Sequence, residues 1–101
     1  PKPGEGPTRD QREAGYYEVF FRGINTQDRH QDTTVSVSGD LDPGYGSTAR
    51  MLGEAAVCLA KDELPVGGGF WTPASALAGK YLSRLTLSAG LTFKAVDSVI
   101  L

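Results

Sequence analysis

Residues 15–39 read GYYEVFFRGINTQDRHQDTTVSVSG, and the alternating stretches at the two ends of this segment decide the fold. Residues 15–23 are aromatic and β-branched, the composition of a strand. Alternation puts Tyr17, Val19 and Phe21 on one face and Tyr16, Glu18, Phe20 and Arg22 on the other. Aromatic side chains on both faces predict cover on both sides. A second strand is predicted over 32–39, with Thr33, Val35 and Val37 opposed to Thr34, Ser36 and Ser38. The polar INTQDRHQ between them reads as a hairpin tip. An antiparallel pair follows, one face wetter than the other.

Beyond this hairpin the period changes. Over 47–61 apolar residues recur at helical spacing, with Met51, Leu52, Ala55, Ala56 and Leu59 as the stripe and Ser47 or Thr48 as the cap. The alanines and Gly53 predict close approach by another element. LPVGGG at 64–69 breaks the helix. Thr72-Pro73 then starts a second one, because the threonine oxygen can accept an amide and proline arrives with its φ set. This helix is predicted to run to about Ser88, turning Leu77, Tyr81, Leu82 and Leu85 to the core. Gly90 stops it, and LTFKAV at Leu91–Val96 is the third strand. The predicted class is α+β, a small mixed or antiparallel sheet with two helices in the order β-β-α-α-β. Residues 1–14, rich in proline and glycine, read as a linker or extended arm with a single helical turn at 8–13. Residues 15–101 form the domain proper.

A chain of 101 residues is one ordinary domain, long enough for a real core. Ten basic residues against twelve acidic ones, with no basic patch, argue against a nucleic-acid partner. No apolar run reaches the length of a membrane span, and the polar N-terminus is no signal peptide. The single cysteine, Cys58, excludes an intrachain disulfide and fits a reducing, intracellular compartment. The organelle is unreadable, because the terminal Ser98-Val99-Ile100-Leu101 matches neither a retention nor a peroxisomal address. The first residue, Pro1, suggests a piece of something longer.

Candidate chemistry is sparse. His30 falls in the hairpin tip, without the pocket and partner a general base needs. One histidine and one cysteine cannot make a four-ligand zinc site, so no metal is expected. Cys58, between Val57 and Leu59, reads as a buried structural thiol. Asp40 and Asp42 flank Leu41 ahead of Pro43; they could bind a metal or act as acid and base. A turn before a helix is rich in aspartate for backbone reasons, however, and the turn is the preferred reading. PGYGST at 43–48 and GGGFWTP at 67–73 each read first as a tight turn, though each also brings amides and hydroxyls to a helix start, where an anion would be welcome. Neither is a dinucleotide fingerprint or a P-loop.

Taken together, KPGEGPTRDQREAGYYEVFFRG, GDLDPGYGSTARMLGEAAVCLA and LPVGGGFWTPASALAGKYLSRLTLSAGLTF resemble the C-terminal end of saccharopine dehydrogenase-like oxidoreductases, a family that includes mycobacterial trans-acting enoyl reductases. The resemblance covers nearly the whole chain in order. One departure is Leu41, inserted into the family's GDPGY pattern.

The resemblance implies an N-terminal Rossmann domain that binds NAD(P) and transfers hydride, in the mycobacterial branch within lipid synthesis. That domain's fingerprint is missing here, so no cofactor is expected on this piece alone, and no catalytic residue is assigned. The resemblance further implies that the two helix starts face the missing domain. Asp42, Tyr45, Thr48 and Thr72 are then the substrate- or cofactor-facing candidates. Surfaces that meet the missing domain would be apolar, so self-association through strand edges is expected. The rival from another class is a free-standing protein-interaction module. An independent small enzyme has no acid–base pair or nucleophile triad to work with.

Overall fold

A computed structural model describes residues 2–96 of the chain. The terminal tetrapeptide read above against targeting addresses lies outside them, as does Pro1. The elements are α1 (Arg9–Ala14), β1 (Tyr17–Gly23), a 3-10 turn (Arg29–Gln31), β2 (Thr33–Gly39), α2 (Gly46–Lys61), α3 (Pro73–Ser88) and β3 (Leu91–Val96). The α+β class and the β-β-α-α-β order are as predicted, with α1 as the helical turn expected in the arm.

The sheet is antiparallel throughout, in the order β1-β2-β3. Val19 pairs with Val37 and Val37 with Phe93, while Phe20 pairs with Ser36 and Ser36 with Lys94. One face therefore carries Val19, Phe21, Val35, Val37 and Phe93. The other carries Glu18, Phe20, Arg22, Thr34, Ser36 and Lys94. On this second face Thr34 and Ser36 are buried. They stand on the central strand, where the longer side chains of both neighbouring strands wall in a short hydroxyl.

Two small apolar clusters hold the helices and sheet together. Cys58, Ala76 and Leu77 form the first, with Ala55, Leu64 and Val66 packed on it. Leu85, Ala89 and Leu91 form the second, with Val37 and Met51 against them. Tyr81 touches both, and its hydroxyl donates to the Met51 carbonyl at 2.9 Å. Leu77, Tyr81, Leu85 and Ala89 follow one another at i+4, so this stripe of α3 is the buried one. Leu82 lies beside it, exposed, which corrects its assignment to the core. The backbone of α3 is also interrupted at Ala78 (φ 46°, ψ −136°), a conformation an L-residue holds only under strain. On α2 the inward residues are Ser47, Met51, Ala55 and Cys58, while Leu52, Ala56 and Leu59 of the predicted stripe face outward. Gly53 meets nothing within 4 Å, so no element uses the close approach it was expected to allow.

Much of the surface is uncovered. The chain exposes 7625 Å², where a monomer of its 10.7 kDa mass exposes roughly 5500 Å². Its radius of gyration is 16.5 Å, against about 13 Å for a compact domain of this length. All of β1 after Tyr17 is exposed, so the cover expected on both its faces is absent among the described residues. No described helix is long and apolar enough to cross a membrane.

Candidate functional site

Three of the four candidate residues gather at the start of α2. Asp42 Oδ1 accepts the Gly44 amide at 3.0 Å, and Oδ2 accepts those of Tyr45 (3.0 Å) and Gly46 (2.7 Å). The Asp42 carbonyl accepts the Ser47 amide at 2.8 Å, and its own amide donates to the Arg12 carbonyl at 3.1 Å. Tyr45 is the N-cap residue of α2 and makes no side-chain cap bond, so the carboxylate of Asp42, three residues upstream, takes the leading amides in place of Ser47 or Thr48. The Gly46 amide, seconded by those of Tyr45 and Gly44, holds its carboxyl below the usual carboxylate range. Thr48 Oγ1 donates to the Pro43 carbonyl at 2.6 Å. Ser47 is instead buried, its hydroxyl 2.7 Å from that of Tyr17. Tyr45 remains exposed, its ring beside Gly6 of the N-terminal arm. The arm, Arg12, Tyr45 and Ala49 enclose an open cavity of about 520 Å³.

Thr72 stands apart. Its hydroxyl and that of Ser75 cap α3 reciprocally, at 2.9 Å from each other. Beyond it runs an open apolar groove of about 550 Å³ between α3 and the sheet, lined by Pro73, Tyr81, Leu82, Leu85 and Phe93. The two cavities share no lining residue, so the four candidates do not converge on one point.

At both helix starts some of the leading amides are already bonded within the chain. At α2 the leading amides go to Asp42. At α3 proline brings no N–H, and the amides of Ser75 and Ala76 go to Thr72. Among the described residues, no group of three metal-ligating side chains occurs.

The strongest electrostatic cluster was missed by sequence reasoning. Arg84 of α3 grips Asp62 with two parallel bonds, Nε to Oδ2 at 2.7 Å and Nη2 to Oδ1 at 2.8 Å, and reaches Glu54 at 3.4 Å. Acid and base lie 22 and 30 positions apart in sequence, so no local pattern reveals them. Arg84 holds the Asp62 carboxyl down at about 2. Cys58 lies inside this cluster; burial, reinforced by Asp62, pushes its thiol up. A protonated, fully buried thiol is neither nucleophile nor ligand. Cys58 is expected to resist an aromatic disulfide reagent in the native chain and to react within seconds in denaturant. Native reaction at the denatured rate would show the site to be open. His30 lies on the exposed 3-10 turn, where its amide donates to Asp28.

Acid should find Asp62 and two further carboxylates, Asp32 in its arginine pair and Asp42 among its amides. Asp32, Asp42 and Asp62 all have folded values below the ordinary 3.8. A depressed carboxylate stabilises the fold in full above its unfolded value and loses that contribution as pH falls through its folded value. Stability is therefore expected to be level above pH about 5 and to fall between about 4 and 2, as followed by circular dichroism. In Asp62→Asn the lower end of that fall should flatten. An unchanged acid limb would remove Asp62 from the account.

No family model and no solved structure matches the chain. It is 37% identical over 97 residues, 93% of its length, to a protein of Mycobacterium tuberculosis named as a trans-acting enoyl reductase. It is likewise 37% identical over 87 residues to a trans-acting enoyl reductase of Mycobacterium ulcerans, and 34% identical to one of Mycobacterium bovis, in both cases over 84% of the chain. These matches cover 22%, 20% and 20% of the respective relatives, so the chain spans about a fifth of the length of the curated proteins it matches. By these similarities the chain is an oxidoreductase-related sequence, matching a small part of larger proteins.

Proposed function

We propose that the chain is the C-terminal, substrate-domain or dimerisation portion of an NAD(P)-dependent oxidoreductase of the saccharopine dehydrogenase-like kind, not catalytic alone. Hydride donor and fingerprint belong, in this reading, to a Rossmann domain that this chain does not contain. The observation that carries the reading is the uncovered apolar surface of a chain that matches only a fifth of much longer relatives. The relatives' name, enoyl reductase, describes addition of hydride to a carbon–carbon double bond of an acyl group. The groove between α3 and β3 offers an apolar wall for such an acyl chain, with Thr72 at its rim. Tyr45 presents the exposed phenol of the other helix start, while Asp42 and Thr48 position that start.

Titrating the chain with NADH and NADPH tests this, with the fluorescence of Trp71 as reporter. No saturation up to millimolar cofactor is expected, and the reading frame upstream is expected to encode a strand, glycine-rich turn and helix. Saturable binding would reopen the independent enzyme. A frame without that fingerprint would favour the interaction module.

A further inference from the structure

Strand β1 is an exposed edge with a self-complementary sequence. Glu18, Phe20 and Arg22 lie on one face of it, and Val19 and Phe21 on the other. Phe20 is 41% and Phe21 57% exposed. The strand has no proline, no lysine and no bulge in its pairing, the devices that ordinarily keep an edge from pairing. Read antiparallel against itself about Phe20, it sets Glu18 opposite the partner's Arg22, Val19 opposite the partner's Phe21 and Tyr17 opposite the partner's Gly23. Opposite charges meet opposite charges, and a phenylalanine pair sits at the centre. We infer that two copies of this chain join through β1, antiparallel about a two-fold axis at Phe20, into one six-stranded sheet.

Arg22 can take part. It bonds Asp32 at 3.2 Å, but Arg29 holds the same Asp32 oxygen at 2.8 Å, so that carboxylate keeps a cation when Arg22 turns outward. The opposite edge, β3, carries Lys94 and no acid, so self-pairing there has no charge complement. Joining the sheets would also bring the two exposed faces of Val19 and Phe21 side by side, a patch whose cover is otherwise absent among the described residues. The inference concerns only copies of this chain and does not rest on the oxidoreductase reading.

The test combines sedimentation equilibrium of the whole 101-residue chain with three charge variants and one crosslink. The expected result is a reversible dimer. Glu18→Arg or Arg22→Glu alone should weaken it roughly tenfold by placing like charges opposite. The double reversal, Glu18→Arg with Arg22→Glu, should restore it, which a variant that merely misfolds would not do. Phe20→Cys should crosslink under oxidation, since directly opposed residues lie about 4.5–5.5 Å apart at Cα. Native Cys58, fully buried, cannot supply that bond. A chain that stays monomeric at millimolar concentration overturns the inference. So does a dimer that the single reversals leave unchanged, that the double reversal does not rescue, or that Phe20→Cys does not crosslink.

Discussion

Replacing Leu77 with alanine is expected to remove about 2–5 kcal/mol of stability. Leu77 is 3% exposed at the start of α3, packed with Cys58 and Ala76 and backed by Ala55, Leu64, Val66 and Tyr81. These residues are the joint between α2 and α3. A chain of this length holds only about 5–15 kcal/mol in all, and its sparse core puts it toward the lower end. Truncation leaves a cavity that two helices joined by a glycine-rich loop can close only in part. Urea denaturation followed by helical ellipticity measures the loss. Leu52→Ala on the outer face of α2, where the leucine is 70% exposed, should stay within about 0.5 kcal/mol. Equal losses at both positions would mean that the α2–α3 joint is not where stability resides.

Gly15→Ala is the second large effect, expected at about 1–3 kcal/mol. Gly15 has φ −70° and ψ 155°, angles any residue adopts, so the loss does not come from backbone preference. It is steric. A Cβ there would lie 2.7 Å from the Asp42 amide nitrogen and Cα, and backbone cannot swing aside. Relieving the clash would pull Asp42 from the Arg12 carbonyl and disturb the three amides its carboxylate holds at the start of α2. Gly53→Ala is the matching control with the opposite sign. It meets no atom within 4 Å inside a helix and should stabilise by about 0.5–1 kcal/mol. Thermal melts of the two variants decide the matter, and Gly15→Ala melting with the parent would free the arm from any structural role.

Local signals were legible in the sequence and tertiary ones were not. Thr72-Pro73 announces α3, and Gly90 (φ 72°) ends it, because each depends on its own backbone chemistry. The alternation at 15–23 and over the second strand, and the burial of Cys58, were likewise readable. The cap of α2 was misplaced because Asp42 reaches forward over four residues, past the serine and threonine that look like caps. Leu52 and Leu59 were placed in the core because a stripe of apolar residues does not say whether anything lies opposite. Of the site candidates, three sit at the start of α2 through Asp42, and Thr72 belongs to a separate groove. The Arg84–Asp62 pair and the Tyr17–Ser47 hydrogen bond were invisible because their partners meet only when the chain has folded.

The strand order has a kinetic consequence. β1 and β2 pair across a short polar tip, a contact the chain can close in microseconds. β3 must return to β2 across about fifty residues holding both long helices, from Gly39 to Leu91. During synthesis the hairpin therefore leaves the ribosome with one flank of its central strand unsatisfied, and it waits for everything up to Val96. Folding of this chain is gated by that last strand, and the interval before it docks is when stray strands have access to β2.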